Sequence, residues 1–134
     1  MATALRIRPA AMADLPYIVQ LINQQAKSGK ILKRSSGEVR KLLRSFFIAE
    51  IEGKPVGCCA LEIYNRKLAE IRSLVVEPRF QKQGIASTLI AHAVKIAKRR
   101  RIYEVLAITD RASIFSKRGF SQQLQGQKAL FLRP

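Results

Sequence analysis

A chain of 134 residues fits one domain, and a chain of that size buries roughly two thirds of its unfolded surface, so it needs neither disulfides nor a metal to build a core. Its apolar content, 48%, is too high for disorder, and no apolar run approaches the roughly 18 residues of a membrane-spanning helix. The formal charge of +16 draws anions, whether a phosphorylated cofactor, an acidic substrate or nucleic acid, and charge alone does not choose among them.

Along the chain, Leu5–Arg8 alternate as a short strand. A helix is predicted from Asp14, with Pro16 in its first turn and Leu15, Ile18, Val19 and Ile22 on one face. Lys27–Lys30 read as a loop. Ser35 followed by Glu38 matches a capping box and opens a second helix carrying Val39, Leu42 and Leu43. Phe46–Glu52 and Pro55–Ile63 are strand-like runs flanking Gly53-Lys54, the spacing of a hairpin. Glu70–Val76 is a third apolar run, closed by Glu77-Pro78. A basic turn leads into a long amphipathic helix from about Gly84 to Arg100, with Ile85, Leu89, Ala93 and Val94 on its apolar face. Tyr103–Thr109 read as a strand, Arg111–Arg118 as a short helix stopped at Gly119, and Phe120–Leu124 and Lys128–Leu132 as closing strands.

The order β-α-α-β-β-β-α-β-α-β-β predicts an α/β (α+β) domain over residues 1–134. Its central sheet is mixed, of about seven strands, with helices on both faces. The strand–helix–strand step from residue 70 to 109 demands a parallel crossover. Adjacent Cys58 and Cys59 point to opposite faces of a strand, so they do not suit a mutual disulfide, and reduced thiols suit the cytosol. No Cys/His cluster suggests a metal site. The N-terminus lacks the unbroken apolar stretch of a signal peptide.

The sharpest segment runs from Leu74 to Leu89. A strand ends, a donor-rich turn follows, and a helix starts at Gly84. A helix start offers unpaired N–H groups and partial positive charge, which suit phosphate, and glycine admits close approach of a ligand to the backbone. The small Ala86 serves the same end, and Arg79 and Lys82 add charge. The segment lacks the GK[ST] of a P-loop and the three glycines of a dinucleotide fingerprint. Gln81-Lys82-Gln83-Gly84-Ile85-Ala86 resembles the Q/R-x-x-G-x-G/A signature of the GNAT acetyltransferases. Arg6–Pro9 with Asp14–Pro16, Ile48–Gly57 and Phe115–Phe120 resemble other pieces of that family in the same order. The resemblance implies an acetyl-CoA-dependent N-acetyltransferase. Backbone groups of Gln81, Lys82, Gln83, Gly84, Ile85 and Ala86 would hold the pyrophosphate of acetyl-CoA, and Leu74, Val75 and Val76 would pair with its pantetheine arm. The strands of residues 70–76 and 103–109 would splay around the thioester.

Gly29–Ser35, Ala69–Val76 and Phe115–Phe120 further resemble the acetyltransferase domain of N-acetylglutamate synthase, which implies the α-amine of an amino acid such as L-glutamate as acceptor and a place in arginine biosynthesis. In that reading Glu70 is the base that takes a proton from the ammonium group, and Lys33, Arg34, Arg72 and Arg111 are the cations available to the substrate carboxylates. Phe115 stands where many of these enzymes have an acidic tyrosine, which leaves Ser113, Tyr103 or water to protonate the leaving thiolate. The synthases usually carry an arginine-sensing kinase-like domain, absent from these 134 residues, and their stretch after the position of Phe120 is longer. A protein or peptide acceptor, or a non-catalytic module binding acetyl-CoA or RNA, is the alternative. A homodimer closed through residues 128–132 stays open. His92 and the two cysteines read as packing residues. Lys98–Arg101 read as cations complementing the helix dipole, which is a cheaper account than contact with RNA or with the cofactor's 3′-phosphate.

Overall fold

The computed structural model describes residues 4–29 and 31–134; the first three residues and Lys30, the end of the expected loop, lie outside the description. The chain runs β1 (Leu5–Pro9), α1 (Leu15–Ala26), α2 (Ser36–Lys41), β2 (Phe46–Ile51), β3 (Lys54–Ile63), β4 (Leu68–Val76), α3 (Ile85–Arg99), β5 (Glu104–Ala107), α4 (Ala112–Ser116), β6 (Gln123–Leu124) and β7 (Gln127–Lys128). This is the predicted order, and local chemistry accounts for the boundaries. Pro16 occupies the first turn of α1. Ser35 Oγ accepts from the Glu38 N–H at 3.1 Å while Glu38 Oε1 accepts from the Ser35 N–H at 3.4 Å, so α2 starts on a complete capping box. α2 stops at Lys41, and Leu42 and Leu43 pass into a tighter turn while still packing on the core. Glu52 and Gly53 both take positive φ, the two-residue primed turn that suits a twisted hairpin.

The central sheet has the order β1-β2-β3-β4-β5. Its first four strands are antiparallel, and β4 and β5 are parallel, joined by α3. One face buries Phe47, Cys59, Leu61, Ala69 and Ile71 against Leu89, Ala93 and Ala97 of α3 and Phe115 of α4. The other buries Phe46, Ile48, Cys58 and Ala60 against Ile18 and Ile22 of α1 and Val39 of α2. Seven strands are present among the described residues, but the last two pair only with each other, over Gln123–Lys128 and Leu124–Gln127, and do not extend the sheet. The expected closing strands therefore shrink to two residues each, and residues 121–134 are exposed. Ser-Gln-Gln-Leu-Gln-Gly-Gln-Lys offers too few apolar side chains to be held on a sheet edge by burial.

Two contacts fix the frame of the site. Gly57 lies opposite Val76, and a Cβ there would sit 2.9 Å from the Val75 carbonyl oxygen, so only glycine lets β3 approach the end of β4 this closely. Arg8 holds both Asp14 oxygens, at 2.8 and 2.9 Å, and donates from Nε to Glu50 at 2.8 Å, tying β1 to β2 and to the start of α1. Those hydrogen bonds hold the Asp14 carboxyl below its ordinary value of 3.8 against the opposing effect of burial.

Two outcomes follow. Gly57→Ala destabilises by about 1–3 kcal/mol through overpacking, whereas Gly37→Ala, in α2 with no atom nearer than 3.9 Å to the new Cβ, is neutral or stabilising; urea denaturation of the two variants checks this. Because the Asp14 carboxyl is depressed in the folded chain, its contribution is present above pH 3.8 and is lost as pH falls below it. Asp14→Asn is expected to flatten that acid limb in unfolding curves collected against pH.

Candidate active site

The site is made by β4 parting from β5. The two strands pair only between Leu68–Ile71 and Glu104–Ala107, and β4 then continues five residues to Val76 with β3 on one edge and, among the described residues, no strand on the edge that faced β5. At the fork β4 carries a bulge. Cys58 pairs with Val75 and Ala60 with Arg72, so Ser73 and Leu74 together face Cys59. Ser73 takes φ 53, and its carbonyl accepts from the Cys58 thiol at 3.4 Å. The bulge reverses the alternation. Ile71 and Leu74 pack on the same core, although three positions apart, while Val75 turns to the opposite face. A cleft of about 110 Å³ opens in the fork, lined by Arg72, Ser73, Leu74, Ala86, Arg111 and Phe115, among others.

Beside the cleft, the turn from Glu77 to Gly84 delivers the chain into α3. The Gln81 side chain donates to the Val76 carbonyl at 2.9 Å and its N–H to the Pro78 carbonyl at 3.2 Å, so Gln81 braces the turn against the end of β4 and has no free amide. Among the described residues, the N–H groups of Lys82, Gln83, Gly84, Ile85, Ala86 and Ser87 have no hydrogen-bond partner; the first helical bond is from Thr88 to Gly84, at 3.0 Å. Gly84 takes φ 82, and a Cβ there would meet no atom within 4 Å. Its glycine is demanded by the left-handed backbone, and the space over it is open. The Ile85 side chain is buried in the core, which leaves its backbone as the group facing outward.

On the α1–α2 face of the sheet, next to the fork, lies a cluster of charge. Glu62 and Glu70 are direct cross-strand partners, and Arg72 is on the same face. Buried Glu62 accepts from Arg34 Nη2 at 3.2 Å and faces Arg72 Nη1, also at 3.2 Å. Arg34 is only 5% exposed, and its Nη1 has no hydrogen-bond partner. Glu70 is less buried, sits one rung before the fork opposite Leu106, and accepts from the Tyr64 hydroxyl at 2.6 Å. Burial, with the Glu70 carboxylate, pushes the Tyr64 phenol above its ordinary value.

The cleft brings together Arg72 and Arg111 with Leu74, Val76 and Ala86, whereas Arg34 and Glu70 lie outside its lining and meet Arg72 only around Glu62, on the sheet face beside it. Lys33 is exposed and outside the cleft lining. Tyr103 is displaced as an acid candidate: it precedes Glu104, which pairs with Leu68, and so lies at the far end of the paired strands, about 13 Å before the fork. Ser113 is exposed on α4, and Phe115 lines the cleft without a proton to give. Cys58 and Cys59 are fully buried, and burial pushes the Cys58 thiol up to about 12, which suits packing rather than nucleophilic chemistry. The His92 ring meets Phe47 at a tilt of 60°, centroids 4.9 Å apart, and its pKa is held down first by burial and then by Lys95 and Arg99. The sequence reading missed Glu62, Tyr64 and the Ser73 bulge. A lone acid inside the apolar run Val56–Ile63 was the available sign for Glu62, and the bulge left none.

An open fork in a mixed sheet, with a row of free amides at a helix start beside it, defines an acyltransferase-type site for a phosphate-bearing donor. The chain belongs to the acetyltransferase (GNAT) family, whose model matches residues 16–120. It is an acetyl-CoA-dependent N-acetyltransferase. An uncharacterized N-acetyltransferase of Chlorobaculum tepidum is 34% identical over 116 residues, 87% of this chain and 75% of that protein. The amino-acid acetyltransferase of Mycobacterium tuberculosis is 30% identical over 120 residues, 87% of this chain and 68% of that protein. The solved N-acetylglutamate synthase of Neisseria gonorrhoeae, complexed with coenzyme A and N-acetyl-glutamate, superimposes with a TM-score of 0.82 at 30% identity, over 90% of this chain and 29% of that one. This chain thus spans under a third of that synthase. No helix among the described residues is long and apolar enough to cross a membrane.

The buried cluster gives a direct outcome. Glu62→Ala strands two guanidinium groups and is expected to cost about 3–5 kcal/mol, and adding Arg34→Met recovers a substantial part of the loss; chemical denaturation of the single and double variants measures both.

Proposed function

We propose that this enzyme acetylates the α-amine of a small acidic amino acid, with L-glutamate the preferred acceptor. The observation that carries the reading is the unpartnered Nη1 of Arg34, a buried donor beside the fork. A buried charged donor without an acceptor costs at least about 1–3 kcal/mol, and a substrate carboxylate removes that cost. Arg72 and Arg111, both lining the cleft, are available to the second carboxylate. The likeness to proteins described as amino-acid acetyltransferases supports the same class of acceptor.

Acetyl-CoA supplies the activated acyl group. The amides of residues 82–87 suit its pyrophosphate, in place of the Gln81–Ala86 range expected from sequence, and the unpaired edge at Leu74–Val76 suits its amide-bearing arm. Glu70, held by Tyr64, takes a proton from the substrate ammonium so that the nitrogen lone pair is free to attack. The main-chain N–H of Leu74, at the bulge, suits the oxyanion that develops on the acyl oxygen, while the Val75 amide is taken by the Cys58 sulfur. The proton Glu70 has accepted returns to solvent, and as the tetrahedral adduct collapses the C–S bond breaks and the nitrogen gives up its second proton to water. The thiolate, a weak base, leaves and is protonated by water, since Phe115 has none to give.

Thiol release from acetyl-CoA, followed across a panel of amino acids, a lysine peptide and a polyamine, tests the proposal. Glutamate is expected to give a kcat/KM at least tenfold above the others, and equal or greater turnover of the peptide would overturn it. Glu70→Gln is expected to lower kcat by roughly 10²–10⁴-fold, and Arg34→Met to raise the KM for glutamate with little change in that for acetyl-CoA.

A further inference from the structure

The cations at the end of α3, expected to complement the helix dipole before RNA or the cofactor's 3′-phosphate, do stand at the helix C-terminus. The fold sets the 3′-phosphate aside, and the dipole accounts for only part of the charge. α3 has 15 residues and so spans about 22 Å, which puts Lys98, Arg99, Arg100 and Arg101 at the opposite end from the amide row that faces the cofactor. A helix C-terminus carries roughly half an elementary charge, which one cation matches.

Four cations are there, and the fold adds more. Tyr103 N–H donates to the Arg66 carbonyl at 2.8 Å and Glu104 N–H to the Lys67 carbonyl at 2.8 Å, so the β3–β4 turn is stitched to the segment after α3. Arg44, in the turn before β2, and Arg100 line one groove of about 460 Å³, together with Ser45 and His92. Seven exposed cations (Arg44, Arg66, Lys67, Lys98, Arg99, Arg100 and Arg101) thus share one pole of the molecule. Among the described residues none of them has a carboxylate within 4 Å. The segments that form the pole hold one acid, Glu104. Such a concentration repels itself and lowers stability unless an anion is bound. One aromatic ring, Tyr103, stands among them at 72% exposure, whereas the Tyr64 hydroxyl is committed to Glu70.

From this geometry we infer that the pole opposite the acetyltransferase cleft binds single-stranded nucleic acid, with phosphates on the arginines and bases stacked on Tyr103. The exposed ring decides against a mere acidic protein tail or an anionic membrane surface, neither of which needs a flat aromatic face flanked by cations, whereas every base offers one. Phosphate contacts to seven side chains require a steep salt dependence. The site is independent of acceptor choice in the cleft, and its failure leaves the acetyltransfer reading standing.

The test is fluorescence anisotropy of a labelled oligouridylate of about 15 nucleotides, within the usual range of single-strand sites, titrated with the full chain across a salt series. The expected slope of log K against log salt is about −3 or steeper, at roughly 0.7 per phosphate contact. Arg100→Glu and Arg44→Glu are each expected to weaken binding at least fivefold, and Tyr103→Ala at least threefold. Lys54→Glu, the same charge reversal at the far end of β3, is expected to change it less than twofold. Thiol release by Arg100→Glu should match the parent, showing that the variant is folded. Absence of binding at about 0.15 M salt overturns the inference. Equal losses at Lys54 and Arg100 overturn it by reducing the effect to net charge, and an unchanged affinity in Tyr103→Ala overturns the stacking. Tighter capture by phosphatidylserine vesicles or polyglutamate than by the oligonucleotide overturns it in favour of those partners.

Discussion

The site depends on one interruption in hydrogen bonding. β4 and β5 begin as paired parallel strands and separate after Ile71, so the last five residues of β4 keep β3 on one side and, among the described residues, no strand on the other. Exposed strand edges are ordinarily a liability, covered or blunted wherever they occur. Here the bare edge faces a cleft, and it ends directly beside the row of unpaired amides at the start of α3. In the proposed function the same few residues present a strand-like surface for an amide-bearing arm and an anion cradle for the group at its end. Gly57 and the Gln81 side chain are what hold this edge in place, one by close approach from β3 and the other by capping Val76.

The Ser73 bulge divides the labour between the two faces of the sheet. Before it, Glu70 and Arg72 point to the α1–α2 side, where the acceptor cluster lies; after it, Leu74 and Val76 point to the α3 side and seal the core under the donor. Without the reversal, one face would have to carry both the charged acceptor groups and the apolar packing of α3. In a chain of net charge +16, buried Glu62 is the counter-ion that lets two arginines sit side by side at this boundary. A second carboxylate, Glu70, stands opposite it in the hands of Tyr64 rather than an arginine, which suits the proton transfer proposed for it.

Much of this was legible in the sequence because it is local. The capping box at Ser35, Pro16 in the first turn of α1 and the glycine at the start of α3 all act over three or four residues, and each appears where expected. What was not legible depends on register. That Glu62 faces Glu70, that Gly57 meets Val75, and that Ser73 is looped out are consequences of how β3 aligns with β4, which a bulge can shift by one residue without a change in composition. The closing strands failed for the opposite reason. Alternation in Lys128–Leu132 looked like a strand, but β6 and β7 bury nothing on the sheet, and they pair only with each other. Gln81 was read as part of the cradle when its side chain and amide both serve to brace the turn.

The central claim is that main-chain amides ahead of α3 grip a diphosphate and so aim the acyl arm into the fork. Calorimetric titration with coenzyme A and, separately, with pantetheine, which has the same arm but no pyrophosphate, tests it most directly. The account requires coenzyme A to bind at least 100-fold more tightly, a difference of about 2.7 kcal/mol, and requires Gly84→Ala to erase most of that difference. Equal affinities for the two ligands, or a coenzyme A affinity untouched by Gly84→Ala, would contradict it.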